Sequence, residues 1–203
     1  MNLYSSRSDR AGQAAAMPKE TDDRQLIQRI ADHDQAALRL LVGRHQLRVF
    51  RFLLRLVRNE AVAEELTNEV FMEVWRNAQR FEGNSAPQTW MLSIAHHRAV
   101  SALRKRREEA WDEETAGALA DEGDDPEVAA QKRDKSAAMR RCMEGLSAEH
   151  REIIDLVYYH ELSIAEVAAA VGIPENTVKT RMFYARKRLS ELLKAAGVDR
   201  GWP

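Results

Sequence analysis

The 203-residue sequence has one cysteine, Cys142. A single thiol excludes an internal disulfide framework and any cysteine-rich zinc site, and it fits a reducing compartment. Nothing around Cys142 suggests an activated thiolate, so it reads as a small, partly buried residue beside a helix. Glycine and proline are also scarce, at 9 and 5 residues. A turn-rich β architecture is therefore disfavoured. Long apolar runs are missing too. The most apolar stretch, VFRFLLRLV at 49–57, is interrupted by Arg51 and Arg55 and is too short to span a bilayer. The first twenty residues lack the apolar core of a signal peptide. A cytoplasmic protein with no membrane contact of its own is expected. Six histidines invite a metal site, but no Glu-x-x-His pair occurs and HELSI at 160–164 lacks the second histidine of a zinc-protease motif. No catalytic residue, metal or cofactor is expected.

What is present points to helices. Apolar residues make up 44% and charged residues 31%, with alanine, leucine, glutamate and arginine abundant. An all-α chain follows. Residues 1–20 are polar and patternless and read as a flexible tail. Helical periodicity then runs from Asp22 or Asp23, and again from about Asp34 through Leu56. Val62, Leu66, Val70 and Val74 continue it at i+4 spacing. FEGNSAPQ at 81–88 breaks the pattern, and another helix runs from about Pro87 to Arg107.

The charges are segregated. Residues 108–128, EEAWDEETAGALADEGDDPEV, hold ten acids and no lysine or arginine. Such a block repels itself and stays solvated, which makes it an acidic, flexible linker between two small helical domains. The helix at 59–75 carries Glu60, Glu64, Glu65, Glu69 and Glu73 with no base among them. That surface suits a basic protein partner and not DNA. By contrast, 96–107 carries five bases and no acid. There, Trp90, Ile94, His97, Ser101 and Arg104 share one helical face, different from that of a core stripe of Leu92, Ala99 and Leu103. A tryptophan joined by cationic groups suits stacking on exposed bases. The small polar residues of the preceding loop could surround an extruded base.

The second domain, 129–196, contains a helix-turn-helix. Ser163 and Glu166 form a capping box, Ile164, Val167, Ala168 and Val171 make one apolar stripe, Gly172 supplies the turn, and Pro174 opens the next helix. In that helix Val178, Met182, Ala185, Leu189 and Leu192 cluster as a core face. Thr177, Thr180, Arg181, Tyr184 and Arg188 form a second stripe with donors, an aromatic ring and no acid. Lys179, Arg186 and Lys187 flank it. From 175 to 195 six bases stand against two acids. This is the pattern of a recognition helix, with base edges met by its first turns and phosphates by its flanks. Phe183 lies on neither stripe.

Taken in order, AEELTNEVFMEVW, FEGNSAPQTWMLSIAHHRAVSALRKRR, the acidic linker, and LSAEHREIIDLVYYHELSIAEVAAAVGIPENTVKTRMFYARKRL resemble a bacterial sigma-70-type sigma factor. The chain is similar to the extracytoplasmic-function group, and the likeness covers about 24–195. It implies a region 2-like domain at 21–107 and a region 4-like domain at 129–196, with a C-terminal tail at 197–203. It implies that Glu65, Leu66, Asn68, Glu69, Phe71 and Trp75 dock on core RNA polymerase. Asn84, Ser85 and Ala86, with Trp90, Ile94, His97, Arg98, Ser101 and Arg104, would open and hold the promoter -10 element. Thr177, Lys179, Thr180, Arg181, Tyr184, Arg186, Lys187 and Arg188 would read the -35 element. An inhibitory anti-sigma partner, released by a stress signal, is implied as well. His96, His97 and Ser101 depart from the family's usual residues, as does Tyr184. The competing reading is a stand-alone helix-turn-helix regulator that binds a palindromic operator as a dimer, which leaves the basic Trp90 helix without a purpose.

Overall fold

The computed structural model describes residues 22–112 and 138–197, with side chains to 108 in the first of these segments. The expected tails, and all of the linker beyond 112, lie outside the described residues. Every regular element among the described residues is helical.

The first half has four helices. They are α1 (Asp23–Ala31), α2 (Gln35–Val57), α3 (Glu60–Asn77) and α4 (Pro87–Asp112). A 3-10 turn at Ala78–Arg80 follows α3. Each of the first three starts on a side-chain cap. Asp22 accepts from the Arg24 N–H, Asp34 from those of Ala36 and Ala37, and Asn59 from that of Val62. Such caps satisfy backbone donors that no helical carbonyl reaches. α2 ends where Arg58 turns left-handed at φ 54°. The i+4 valine pattern of α3 is core: Leu66, Val70 and Val74 are buried and Val62 packs at their edge. α4 runs five residues beyond the expected Arg107, into the acidic block, where Glu108 meets Arg104 at 3.8 Å.

The second half begins with α5, described over 138–144, followed by α6 (Ala148–Tyr158), α7 (Ile164–Val171) and α8 (Glu175–Ala195). The capping box at Ser163 and Glu166 is present in both directions. The Ser163 hydroxyl, and then its backbone N–H, hold the Glu166 carboxyl below the usual carboxylate range. The stabilisation this brings is present above the unfolded pKa and is lost as pH falls through the lowered folded value. Ser163→Ala is expected to destabilise the second half by about 1 kcal/mol. Its Glu166 pKa, followed by carboxyl NMR, should rise; an unchanged value would show that the serine does not hold the carboxylate. Gly172 closes α7 at φ 72°, a conformation that a side chain would strain.

The two halves pack together. α4 lies on α7, and α2 lies on α6. Their buried apolar side chains form one continuous cluster, from Leu26 in α1 to Leu193 in α8.

Candidate nucleic-acid and polymerase interfaces

Helix α3 presents an outward acidic strip. Glu65 and Asn68 are exposed and Glu69 is half-buried. Together with Met72, Arg76 and Arg98 they line an open groove of about 420 Å³. Met72 is 48% exposed, an apolar contact point that the charge pattern did not single out. Two residues expected on this docking surface are largely withdrawn from it: Leu66 and Phe71 are both buried core side chains, with only an edge of Leu66 reaching a neighbouring groove. The i+4 stripe that makes α3 fold also turns them inward. Trp75 is half-buried, its ring 5.7 Å from that of His33.

The loop before α4 is fixed by α1. The Arg24 guanidinium donates to the carbonyls of Gly83 (2.8 Å) and Ser85 (3.2 Å). Gly83 sits at φ 76°, and a Cβ there would come within 3.1 Å of that guanidinium. Asn84 stays exposed and donates to Glu82, while Ser85 and Ala86 are half-buried. Arg24 was not singled out by the sequence; a lone arginine in a first turn carries no signal for a partner 59 residues away.

Along α4 the expected face divides. Trp90 is half-buried against Phe81, with ring centroids 5.0 Å apart. His97, Ser101 and Arg104 are exposed. Ile94 is a correction: it is buried at 7% exposure and presents nothing to a ligand. Arg98 is engaged within the protein. It donates through Nε and Nη2 to Glu73 Oε2 (2.8 and 2.5 Å) and through Nη1 to Glu69 Oε2 (3.3 Å). Glu73, and then Glu69, hold the guanidinium above its ordinary pKa. Arg98 thereby positions α4 on α3. Beside it, the last turns of α4 and the start of α3 enclose a second open groove of about 460 Å³, lined by Leu66, Glu69, Ser101 and Arg106 among others.

Helix α8 buries Val178, Met182, Ala185, Leu189 and Leu193, with Leu192 at the margin. Lys179, Thr180, Tyr184, Arg186, Lys187 and Arg188 are exposed, whereas Thr177 and Arg181 are half-buried. Phe183 finds its place here. It is 64% exposed and meets Tyr184 edge to face, with ring centroids 5.4 Å apart. The outward face of α8 is thus a basic surface centred on Thr180, Phe183, Tyr184 and Lys187.

Comparison with known proteins agrees with this division. A family profile described as Sigma-70 region 2 matches residues 41–109, and one described as Sigma-70, region 4 matches 136–189. The ECF RNA polymerase sigma factor SigK of Mycobacterium tuberculosis H37Rv is 31% identical over 174 residues, which cover 83% of this chain and 91% of SigK. The chain belongs to the ECF sigma factors of the sigma-70 family. The SigK of Mycobacterium ulcerans is 30% identical over 186 residues, covering 88% of this sigma factor and 98% of the relative. Among solved structures, the sigma factor RpoE of Bartonella quintana, crystallised with the anti-sigma factor NepR, superposes with a TM-score of 0.64 and 27% identity. That match covers 80% of this sigma factor and 98% of RpoE. The first match runs from within α2 to within α4 and the second from residue 136 to within α8, so each matched region falls inside one half of the fold. Among its described residues this sigma factor has no cluster that could hold a metal ion and no helix long and apolar enough to cross a membrane.

Proposed function

We propose that this chain binds core RNA polymerase through the acidic strip of α3 and directs promoter-specific initiation with two DNA-reading surfaces. The 81–86 loop, Trp90, and the exposed His97, Ser101 and Arg104 hold the opened -10 element. The outward face of α8 reads the -35 element in the major groove, with Phe183 and Tyr184 offering apolar contact and the flanking bases offering phosphate contact. The observation that supports this best is the separation of charge. Five acids stand between 59 and 75 with no base among them, while five bases between 96 and 107 have no acid among them and 175–195 has six bases against two acids, so one chain of net charge -1 offers both a protein-docking helix and DNA-binding helices. The Bartonella relative's complex with NepR supports an anti-sigma partner here as well.

The test is reconstitution. Core polymerase with this chain and genomic DNA should give defined transcript starts that core alone does not. Starts indistinguishable from core alone would remove the reading. Tight binding to a palindromic site without polymerase would favour the dimeric regulator instead.

A further inference from the structure

Helix α2 carries a charge block of the sign opposite to that of α3. Gln35–Val57 holds five arginines and no acid. Its inward residues, Leu41, Val49, Phe52 and Leu53 among them, are core. Its outward side bears an apolar line. Leu40 and Leu47 are 49% and 57% exposed, and Gly43 between them has open space where a Cβ would project. Phe50 and Leu54 continue the line, both half-buried. These five positions advance by three, four, three and four residues, the spacing at which one helix seats the side chains of another. They run about 21 Å along the helix at 1.5 Å per residue. On the helical wheel Arg39 flanks the line on one side and Arg51 on the other, and both are exposed. Arg44, on the Arg51 side, is engaged with Asp23 at 2.8 Å. An apolar line with a charged rim is the anatomy of a protein interface. Gly43 leaves a notch between two leucines that a knob from another helix can enter; a lipid surface or a nucleic-acid backbone has no such knob.

We propose that this face of α2 docks an acidic amphipathic helix supplied by a partner protein. The partner presents large apolar side chains at three- and four-residue steps and carboxylates on both flanks, toward Arg39 and Arg51. Other occupants lack one half of that chemistry. A second copy would set Arg39 and Arg51 against the same arginines of its mate. The chain's own segment 113–128 is acidic, but Leu119 and Val128 are its only large apolar residues, too few for the line. Residues 1–21 carry three bases against two acids and bring no complementary charge. Core polymerase, as assigned above, meets the acids of α3, and a polymerase helix that suits α3 has the wrong sign for α2. The two surfaces therefore take different helices.

The test uses the full chain. The probe is a labelled synthetic helix of about three heptads, with leucine at alternating three- and four-residue steps and glutamate on both flanks. Fluorescence anisotropy should show saturable binding. Leu47→Lys, and separately Arg39→Glu with Arg51→Glu, should weaken it at least about tenfold, the effect of losing an anchor at the centre of an interface. The same peptide with lysine in place of glutamate should bind the unaltered chain at least about tenfold more weakly, and should regain affinity for the chain with both arginines reversed. These positions are exposed, and circular dichroism should show unchanged helicity. Lys194→Glu, in the last turn of α8, makes a like charge change away from α2 and should leave the affinity alone. In the bacterium that makes the chain, a photo-reactive benzophenone side chain in place of Leu47 should cross-link a second protein, at a helix with acidic flanks. Peptide binding that ignores Leu47→Lys, or that does not follow the charge swap, overturns the proposal. So does a cross-link to residues 113–128, to a second copy, to lipid or to DNA, and so does the lack of any cross-link. Leu47→Lys should leave affinity for core polymerase unchanged; a loss there would make α2 polymerase surface and overturn the separate partner. Absence of promoter-specific transcripts from the unaltered chain would instead sink the sigma reading, and the peptide and cross-link results would still decide the docking face.

Discussion

Arg151→Ala should destabilise the second half by about 3–5 kcal/mol, because four carbonyls, two of them buried, lose a charged donor at roughly 1–3 kcal/mol each. The side chain is 7% exposed. It donates to the carbonyls of Met143 (3.1 Å), Glu144 (3.4 Å) and Leu146 (3.0 Å), where α5 ends, and to that of Arg55 on α2. It therefore terminates one helix and ties it to another, taking the part that a glycine motif fills at many helix ends. Burial, and then the nearby Arg58, pull its pKa below the ordinary arginine value. The folded state tolerates that charge only because the carbonyls surround it. Urea unfolding of the full chain measures the loss. Lysine, a point charge without the planar fork, should recover only part of it. A loss of less than about 1 kcal/mol for the alanine variant would mean that water replaces the guanidinium without penalty.

Glu65→Lys with Glu69→Lys should weaken binding to core polymerase at least about a hundredfold, the range expected when charges at the centre of a charged interface are reversed. Competition for core against an unaltered, labelled chain measures it directly. The two changes are not equivalent. Among the described residues Glu65 forms no ion pair with α4, whereas Glu69 receives Arg98. Glu65→Lys alone should therefore lower affinity without moving the thermal transition. The double variant should lower both. Binding within about threefold of the unaltered chain would place the docking surface elsewhere.

Local chemistry made much of the fold legible. The caps at Asp34 and Ser163, the Gly172 turn and the i+4 stripe of α3 each depend on neighbours a few residues away, and each stands where the sequence put it. The core face of α8 is similar, apart from the exchange of Leu192 for Leu193 as the more deeply buried residue. What depended on distant partners was not legible. Leu66 and Phe71 came onto the docking list through family likeness, although the spacing of Leu66 already assigned it to the core. Ile94 shares a helical face with Trp90 and His97. That face is not open along its length, because α4 packs on α2 and α3 in its own half and on α7 in the other. Glu152, Asp155 and Arg151 carry charge and would normally be assigned to solvent. Only the packing of α6 on α2 reveals that they are inside. The acids of α3 had no base within their own segment, and the cation that meets them, Arg98, lies 25 residues after Glu73.

Arg98 has a consequence for descent. Glu69, Glu73 and Arg98 form one electrostatic joint between the helix proposed to hold polymerase and the helix proposed to hold single-stranded DNA. A change of sign at any one of the three sets like charges against each other or leaves a charge unmatched. A substitution at any one of the three is therefore felt by both helices. Drift of the docking surface toward a different polymerase would redraw the seat of the DNA-opening helix in the same step.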